Sequence, residues 1–135
     1  GPDSRVPAIV RQRDLGFVGF SPMAQGLLLD KYNPARPPSF QDGDQRADSR
    51  WFKPDFLSLM QPKLAALKRR FGGETADLVR VSLQYVLAYP TVSCVIPGFR
   101  NSEQVKMDLS AAGNPLSEGD REWIRELYKE LCATE

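Results

Sequence analysis

Arg100 stands where a basic side chain could bind an anion. It follows an apolar, β-branched run at 91–96 that Pro97-Gly98 closes, and it precedes a segment with helical character. A guanidinium beside the free N–H groups of a helix N-terminus favours an anion such as a phosphate group. The alternative is that Arg100 is a solvated loop cation paired with Glu103.

A second loop follows an earlier apolar run and also has residue types that suit a phosphate. The run at 15–20 ends at Ser21-Pro22, and Gly26 comes four residues later. Gly26 would let the backbone approach a phosphate closely, and Ser21 would supply a hydroxyl and backbone donors. Ser-Pro is also ordinary turn chemistry, and Gly26 would equally relieve a tight bend. Both interpretations stay open on the sequence alone.

Histidine is absent from all 135 residues. Its absence excludes Ser-His and Cys-His nucleophile pairs and removes the commonest general base and most catalytic zinc sites. The two cysteines, Cys94 and Cys132, are predicted to be separate thiols rather than a disulfide. We therefore predict no metal site and no catalytic residue of these kinds in this sequence.

Charge and hydropathy exclude nucleic acid and membrane as partners. There are 18 Lys and Arg against 17 Asp and Glu, and the only basic cluster, at 68–70, is predicted to be solvated at a helix end. No apolar run approaches the roughly 18 residues that a bilayer requires, and nothing resembles a signal peptide. We predict a single cytoplasmic domain over residues 1–135, of which 1–4 are a tag remnant and leader beginning with Gly1-Pro2.

Two short strands must position the two loops. Residues 15–20 and 91–96 are predicted to be buried strands, because they are apolar, β-branched or aromatic, and bounded by Gly or Pro. The stretch at 31–53 is rich in proline and polar turn residues and predicts no regular element.

Helices are predicted on both sides of the second strand. Apolar residues three and four apart predict a helix over 57–71, which Pro62 should kink or restart. Thr75 should cap a largely buried helix over 75–87, and a short helix is expected within 5–14. Two capping boxes predict two further helices: Asn101 with Gln104, and Ser117 with Asp120.

Strand, loop and helix, repeated once, is the order of βα units, and the motifs resemble those of the aldo-keto reductases. The loop Ser21-Pro22-Met23-Ala24-Gln25-Gly26 resembles the family's Ser-Pro-Leu-Ala-x-Gly run after its seventh strand. Residues 75–87 are similar to the family's seventh helix. Residues 95–104 resemble its eighth strand and the turn that binds the adenosine end of NADP(H).

This resemblance implies an α/β fold: a truncated fragment of a (β/α)8 TIM barrel, mainly helical, with two short parallel strands. The family's catalytic Asp, Tyr, Lys and His lie on the part that this sequence does not resemble. The resemblance therefore implies that the chain alone reduces no carbonyl.

Weak or lost NADP(H) binding is the cofactor expectation that the resemblance implies. The family's cofactor-contacting positions correspond here to Ser21, Pro22, Met23, Gly26, Gly98, Arg100, Ser102, Gln104 and Asp108. Asp108 departs from the family's usual Asn. An ionised Asp only accepts hydrogen bonds and repels phosphate, which weakens adenine recognition.

Other roles remain open beside cofactor binding within a split enzyme. One is a repurposed module that binds a protein or a small molecule. Another is proton-transfer or cyclisation chemistry in a biosynthetic pathway, in a pocket lined by Trp51, Phe52 and Tyr85 with Asp55 or Asp77. The aromatic residues at 51, 52 and 56 would alternatively form a lid or, as we favour, anchor their loop to the core.

Association is expected because two parallel strands leave both sheet edges unpaired. A homodimer is favoured over a rearranged monomer, and a complementing N-terminal barrel fragment is the other partner expected.

Overall fold

The computed structural model describes residues 5–132, and the predicted leader at 1–4 lies outside them. Five α-helices and two strands make up most of the described chain. In order they are α1 (Val6–Gln12), β1 (Phe17–Phe20), α2 (Pro54–Phe71), α3 (Thr75–Leu87), β2 (Val92–Ile96), α4 (Ser102–Ser110) and α5 (Glu118–Cys132). Short 3-10 segments lie at Ala24–Leu29, where Gln25 and Gly26 form a kink, at Arg50–Phe52 and at Ala111–Gly113. The prediction of a mainly helical chain with two short strands is confirmed.

Strands β1 and β2 pair in parallel, as expected of consecutive βα units. Phe20 pairs with Ile96, and an irregularity between Phe17 and Val18 shifts the register near the start of β1. Both strands are shorter than the apolar runs that predicted them. One face of this sheet packs on α3, where the backbone of the buried Gly19 approaches Val86 so closely that an added Cβ would lie 3.0 Å from its Cγ1.

The main hydrophobic core lies between α2, α3 and α5, away from the sheet. Its buried members are Leu27, Phe52, Leu57, Met60, Leu64, Leu67, Leu78, Val81, Leu116 and Ile124. A second, smaller cluster joins α3 to the end of α4 through Met23, Val79, Leu83 and Ala111. Helix α3 contributes to both clusters, which explains why its apolar residues cover more than one side.

Helix α2 is one continuous helix through Pro62, so the prediction of a new helix starting there is wrong. Proline removes one backbone N–H, and the carbonyl that loses its partner belongs to Ser58. Ser58 and Pro62 are both exposed, so water can satisfy that carbonyl. The apolar stripe of the helix lies on the opposite, buried side.

Glu74, rather than Thr75, caps α3. The Glu74 side chain accepts a hydrogen bond from the backbone of Asp77, and the Asp77 carboxylate accepts one from the Glu74 N–H at 3.1 Å. Carboxylates at this end of a helix also interact favourably with its dipole. Thr75 is the first helical residue, so the predicted boundary was late by one position.

The irregular stretch at 31–53 is held to the core by aromatic rings. Phe52 is 3% exposed, and its ring packs edge-on against Tyr32 and Phe40 at centroid distances of 5.1 and 5.3 Å. Arg46 lies over the Phe40 ring at 4.4 Å. The anchoring interpretation is confirmed for Phe52, whereas its neighbour Trp51 is 37% exposed.

The basic cluster at 68–70 is not simply solvated, as the sequence had suggested. Lys68 forms an ion pair with Asp30, and Arg70 forms one with Asp120 at 2.8 Å. The Arg70 guanidinium also lies 4.8 Å from the centre of the Trp123 ring, which fixes α5 against the end of α2. These partners are distant in sequence, so the pattern of charges alone did not reveal them.

Cys94 is a free, exposed thiol on β2. None of the helices in the part of the chain that the structure describes combines the length and apolar character needed to cross a membrane.

Candidate functional site

The two candidate loops begin side by side at the same edge of the sheet. Because β1 and β2 are parallel and Phe20 pairs with Ile96, the carboxyl ends of the two strands are adjacent. One end leads into residues 21–26, which we call the serine loop, and the other into residues 97–104, which we call the arginine turn. Ligands of parallel α/β sheets bind beyond the carboxyl ends of the strands.

The serine loop has a strained backbone. Ser21, Ala24 and Gln25 all have positive φ, at 50°, 47° and 57°, and Gly26 has a φ of 90°. Positive φ is unfavourable for residues other than glycine, and such strain concentrates at functional sites. Two backbone hydrogen bonds maintain the conformation: Ala24 N–H to the Ser21 carbonyl at 2.9 Å, and Gly26 N–H to the Met23 carbonyl at 3.0 Å.

The serine loop presents backbone rather than large side chains. Ser21 is exposed, but Pro22 and Met23 are buried, and Met23 belongs to the second core cluster. A ligand above this loop would therefore contact Met23 through its backbone only. Gly26 lies against Tyr32, whose hydroxyl donates to the Gln25 carbonyl at 3.0 Å. An added Cβ would be in ordinary contact with Tyr32, so the positive φ, rather than lack of space, is what favours glycine at this position.

The arginine turn is shaped by two side-chain-to-backbone hydrogen bonds at the start of α4. The Asn101 side chain accepts from the Gln104 N–H at 2.9 Å, and Gln104 Oε1 accepts from the Arg100 N–H at 2.7 Å. The predicted Asn101 cap is confirmed, but the second half of the capping box is not formed, since Gln104 Oε1 accepts from the Arg100 N–H rather than from the Asn101 N–H. Ser102 is exposed at the first helical position, and the space around Gly98 is open.

The Arg100 side chain is exposed and forms no ion pair with any residue in the range 5–132. The expected alternative, a pair with Glu103, is therefore not formed. Arg100 instead lies near enough to Asp44 for its positive charge to lower the pKa of the Asp44 carboxyl. Hydrogen bonds from Arg46 are the main cause that lowers the pKa of Asp44 to about 2, and the field of Arg100 adds to them.

Asp108 lies one helical turn beyond Gln104, and one of its two carboxylate oxygens is enclosed by the protein. Its Oδ2 atom is buried without a hydrogen-bond partner among the described residues. Burial raises the pKa of this carboxyl above its usual value. An oxygen with so little exposed surface cannot contact a ligand without movement of its surroundings, so Asp108 is the predicted site residue that this geometry accommodates least well.

Gln84 is a positioning residue that the sequence pattern does not predict. It is 5% exposed in α3, and its Nε2 donates to the carbonyls of Ala111 at 2.7 Å and Ala112 at 3.1 Å. These bonds hold the 3-10 turn that follows α4 against α3. A glutamine among apolar residues of a buried helix was the available signal, because a buried amide requires partners.

The pocket imagined for proton-transfer chemistry is not assembled as proposed. Phe52 is part of the aromatic core, the Asp77 carboxylate caps α3, and the Tyr85 hydroxyl hydrogen-bonds with that of Tyr89. Burial raises the pKa of Tyr85 to about 12, which is too high for a group that gives up a proton at neutral pH. Within residues 5–132 there is also no group of three His, Cys, Asp or Glu side chains placed to hold a metal ion.

The sequence pattern of the Aldo/keto reductase family matches residues 2–129. The chain belongs to this family. It is 28% identical over 130 residues to the aldo-keto reductase str7 of Strobilurus tenacellus. The matched region covers 95% of this chain and 38% of that protein. The chain is 32% identical over 105 residues to the uncharacterized oxidoreductase Rv2298 of Mycobacterium tuberculosis (strain ATCC 25618 / H37Rv). This matched region covers 78% of the chain and 31% of the relative.

The chain thus spans about a third of the length of these relatives. A family member of this extent is consistent with a fragment of the family's barrel, and the two parallel strands with their helices are the part of it described here.

Proposed function

We propose that this chain contributes the adenosine-phosphate part of an NADP(H) site to an aldo-keto reductase-type oxidoreductase. The observation that carries the proposal is the convergence of the serine loop and the arginine turn at one end of the two-stranded sheet. Arg100 has an exposed guanidinium there without an ion-pair partner among the described residues, next to the N-terminus of α4. That combination suits the 2′-phosphate of NADP(H).

The residues at this end of the sheet have two roles, because some would bind the phosphate and others hold the conformation of the turn. Arg100, Ser102 and the backbone around Gly98 are exposed and would hold the phosphate. Asn101 and Gln104 fix the turn, because the Asn101 side chain accepts from the Gln104 N–H and the Gln104 side chain accepts from the Arg100 N–H. The serine loop would approach the cofactor with its backbone, since Met23 points into the core.

The adenine end of the site fits less well than the phosphate end. The Gln104 oxygen is already engaged by the Arg100 N–H, and the buried Asp108 oxygen has no donor. A bound nicotinamide cofactor would supply the hydride chemistry. The residues of this chain would bind and orient the adenosine-phosphate end of that cofactor. We therefore expect phosphate recognition to dominate and the overall affinity to be weak.

Calorimetric titration with adenosine 2′,5′-bisphosphate tests this proposal. Adenosine 5′-monophosphate is the control ligand, because it lacks the 2′-phosphate. We expect the bisphosphate to bind at least about tenfold more tightly, and Arg100→Ala to remove most of that preference. The matched control is Arg50→Ala on a different surface segment. Equal affinity for both nucleotides, or a preference that survives Arg100→Ala, would contradict the proposal.

A further inference from the structure

Asp44 and Arg46, in the segment between β1 and α2, form a bidentate ion pair. Arg46 Nη2 lies 2.6 Å from Asp44 Oδ2, and Nε lies 3.0 Å from Oδ1. The Arg46 backbone N–H donates to the same Oδ1 atom, also at 3.0 Å. A guanidinium that contacts both carboxylate oxygens fixes the geometry of the pair as well as strengthening it. Asp44 and Arg46 therefore act together as a unit without net charge.

Aromatic packing holds this ion pair beside the serine loop. The Arg46 guanidinium lies 4.4 Å from the centre of the Phe40 ring. Phe40 packs edge-on against Tyr32 at a centroid distance of 6.5 Å, and the Tyr32 hydroxyl donates to the Gln25 carbonyl in the serine loop at 3.0 Å. Cation–π and edge-to-face contacts both have preferred geometries. The position of the pair relative to the serine loop is therefore set by the aromatic core.

The carboxylate of this pair also lies within electrostatic reach of Arg100. Besides the dominant hydrogen bonds from Arg46, the field of Arg100 helps to lower the pKa of Asp44. This proximity agrees with the fold, because the serine loop and the arginine turn begin at adjacent strand ends. An acidic side chain is thus placed near the guanidinium to which we assign the 2′-phosphate.

A carboxylate left unpaired at this position would oppose phosphate binding. It would compete for Arg100, which has no ion-pair partner among residues 5–132, and it would repel a phosphate group. It would also accept a hydrogen bond from an unphosphorylated ribose hydroxyl, which is how acidic side chains favour NAD over NADP. Asp44 is prevented from these contacts because Arg46 engages both of its oxygens.

We infer that Arg46 sets the preference of this site for a 2′-phosphate, because it engages Asp44 and so leaves Arg100 free for the ligand. Arg46 acts through Asp44, which makes it a positioning residue. Without Arg46, the preference should shift towards unphosphorylated adenosine. This inference rests on the proposed 2′-phosphate site and identifies the residue that determines the selectivity of that site.

A double-mutant cycle on Asp44 and Arg46 tests this inference by calorimetry with adenosine 2′,5′-bisphosphate and adenosine 5′-monophosphate. Arg46→Met removes the charge but keeps an unbranched chain over Phe40, and circular dichroism checks its fold. We expect Arg46→Met to weaken bisphosphate binding at least about threefold and not to weaken monophosphate binding. Adding Asp44→Asn to Arg46→Met should restore the wild-type preference. A purely structural role of Arg46 would instead affect the single and the double variant equally.

Two further variants complete the cycle. Arg36→Met is the matched control, because Arg36 is an exposed cation of the same 31–53 segment, and it should leave the preference unchanged. Asp44→Asn alone should bind the bisphosphate at least as tightly as the wild type, a test that does not depend on the folding of Arg46→Met.

Four results would overturn the inference while leaving the 2′-phosphate site in place. They are an unchanged preference in Arg46→Met, a loss that the double variant does not reverse, an equal loss in Arg36→Met, and weaker bisphosphate binding by Asp44→Asn. A wild-type chain that does not distinguish the two nucleotides would overturn both this inference and the proposed function.

Discussion

Gln84→Met is the substitution that best tests how the end of α4 is held against α3. Methionine fills a similar volume but cannot donate the two hydrogen bonds that Gln84 makes to the Ala111 and Ala112 carbonyls. Ala112 is exposed, so water replaces its bond. Ala111 is 2% exposed, so its carbonyl loses its donor in a buried environment.

An unsatisfied buried acceptor costs about 1–3 kcal/mol, and we expect the free energy of unfolding to fall by that amount. Urea denaturation followed by circular dichroism measures it, with Gln61→Met on the exposed face of α2 as the control. Hydrogen exchange should also show reduced protection in the last turn of α4. If Gln84→Met unfolds at the same urea concentration as Gln61→Met, Gln84 does not hold α4.

Three further predictions follow from the structure. Gly72→Ala should destabilise the fold by about 2 kcal/mol or more, because Gly72 has a φ of 115° and an added Cβ would overlap the Asp77 carboxylate that caps α3. Thermal unfolding measures this loss, and Gly73→Ala is the control because the space around Gly73 is open. Asp108→Asn should raise the free energy of unfolding more at pH 7 than at pH 3. Burial raises the folded-state pKa of Asp108, so the contribution of this carboxyl to stability is present below its ordinary pKa of 3.8 and is lost as the pH rises through the folded-state pKa. A difference in unfolding free energy between Asn and Asp that does not grow with pH would contradict this. The chain alone should oxidise no NADPH with a panel of aldehydes and ketones in a spectrophotometric assay, and steady turnover above background would refute the expectation.

The helices were largely predictable because their signals are local. Apolar spacing identified α2, and capping residues identified the starts of α4 and α5. Ser117, for example, accepts from the Asp120 N–H at 3.1 Å, as its position three residues earlier predicts. Pro62 was misjudged because the sequence does not show that its helix face is solvated.

The candidate site was predictable in its position but not in its conformation. Strand ends and a helix cap placed Ser21 and Arg100 at one end of the sheet. The positive φ of Ala24 and Gln25 has no sequence signal, since neither residue type favours it. The approach of Asp44 to Arg100 joins segments more than fifty residues apart, which no local pattern encodes.

Backbone amide NMR during titration with adenosine 2′,5′-bisphosphate tests the central claim most directly, because it locates the ligand. We predict saturable shifts at Gly98, Arg100 and Ser102 together with Ser21 and Gly26, since the adjacent strand ends bring these residues to one site. Gly73, on the turn between α2 and α3, should not move. Shifts that leave the arginine turn and the serine loop unchanged, or that cluster elsewhere on the chain, would contradict the account.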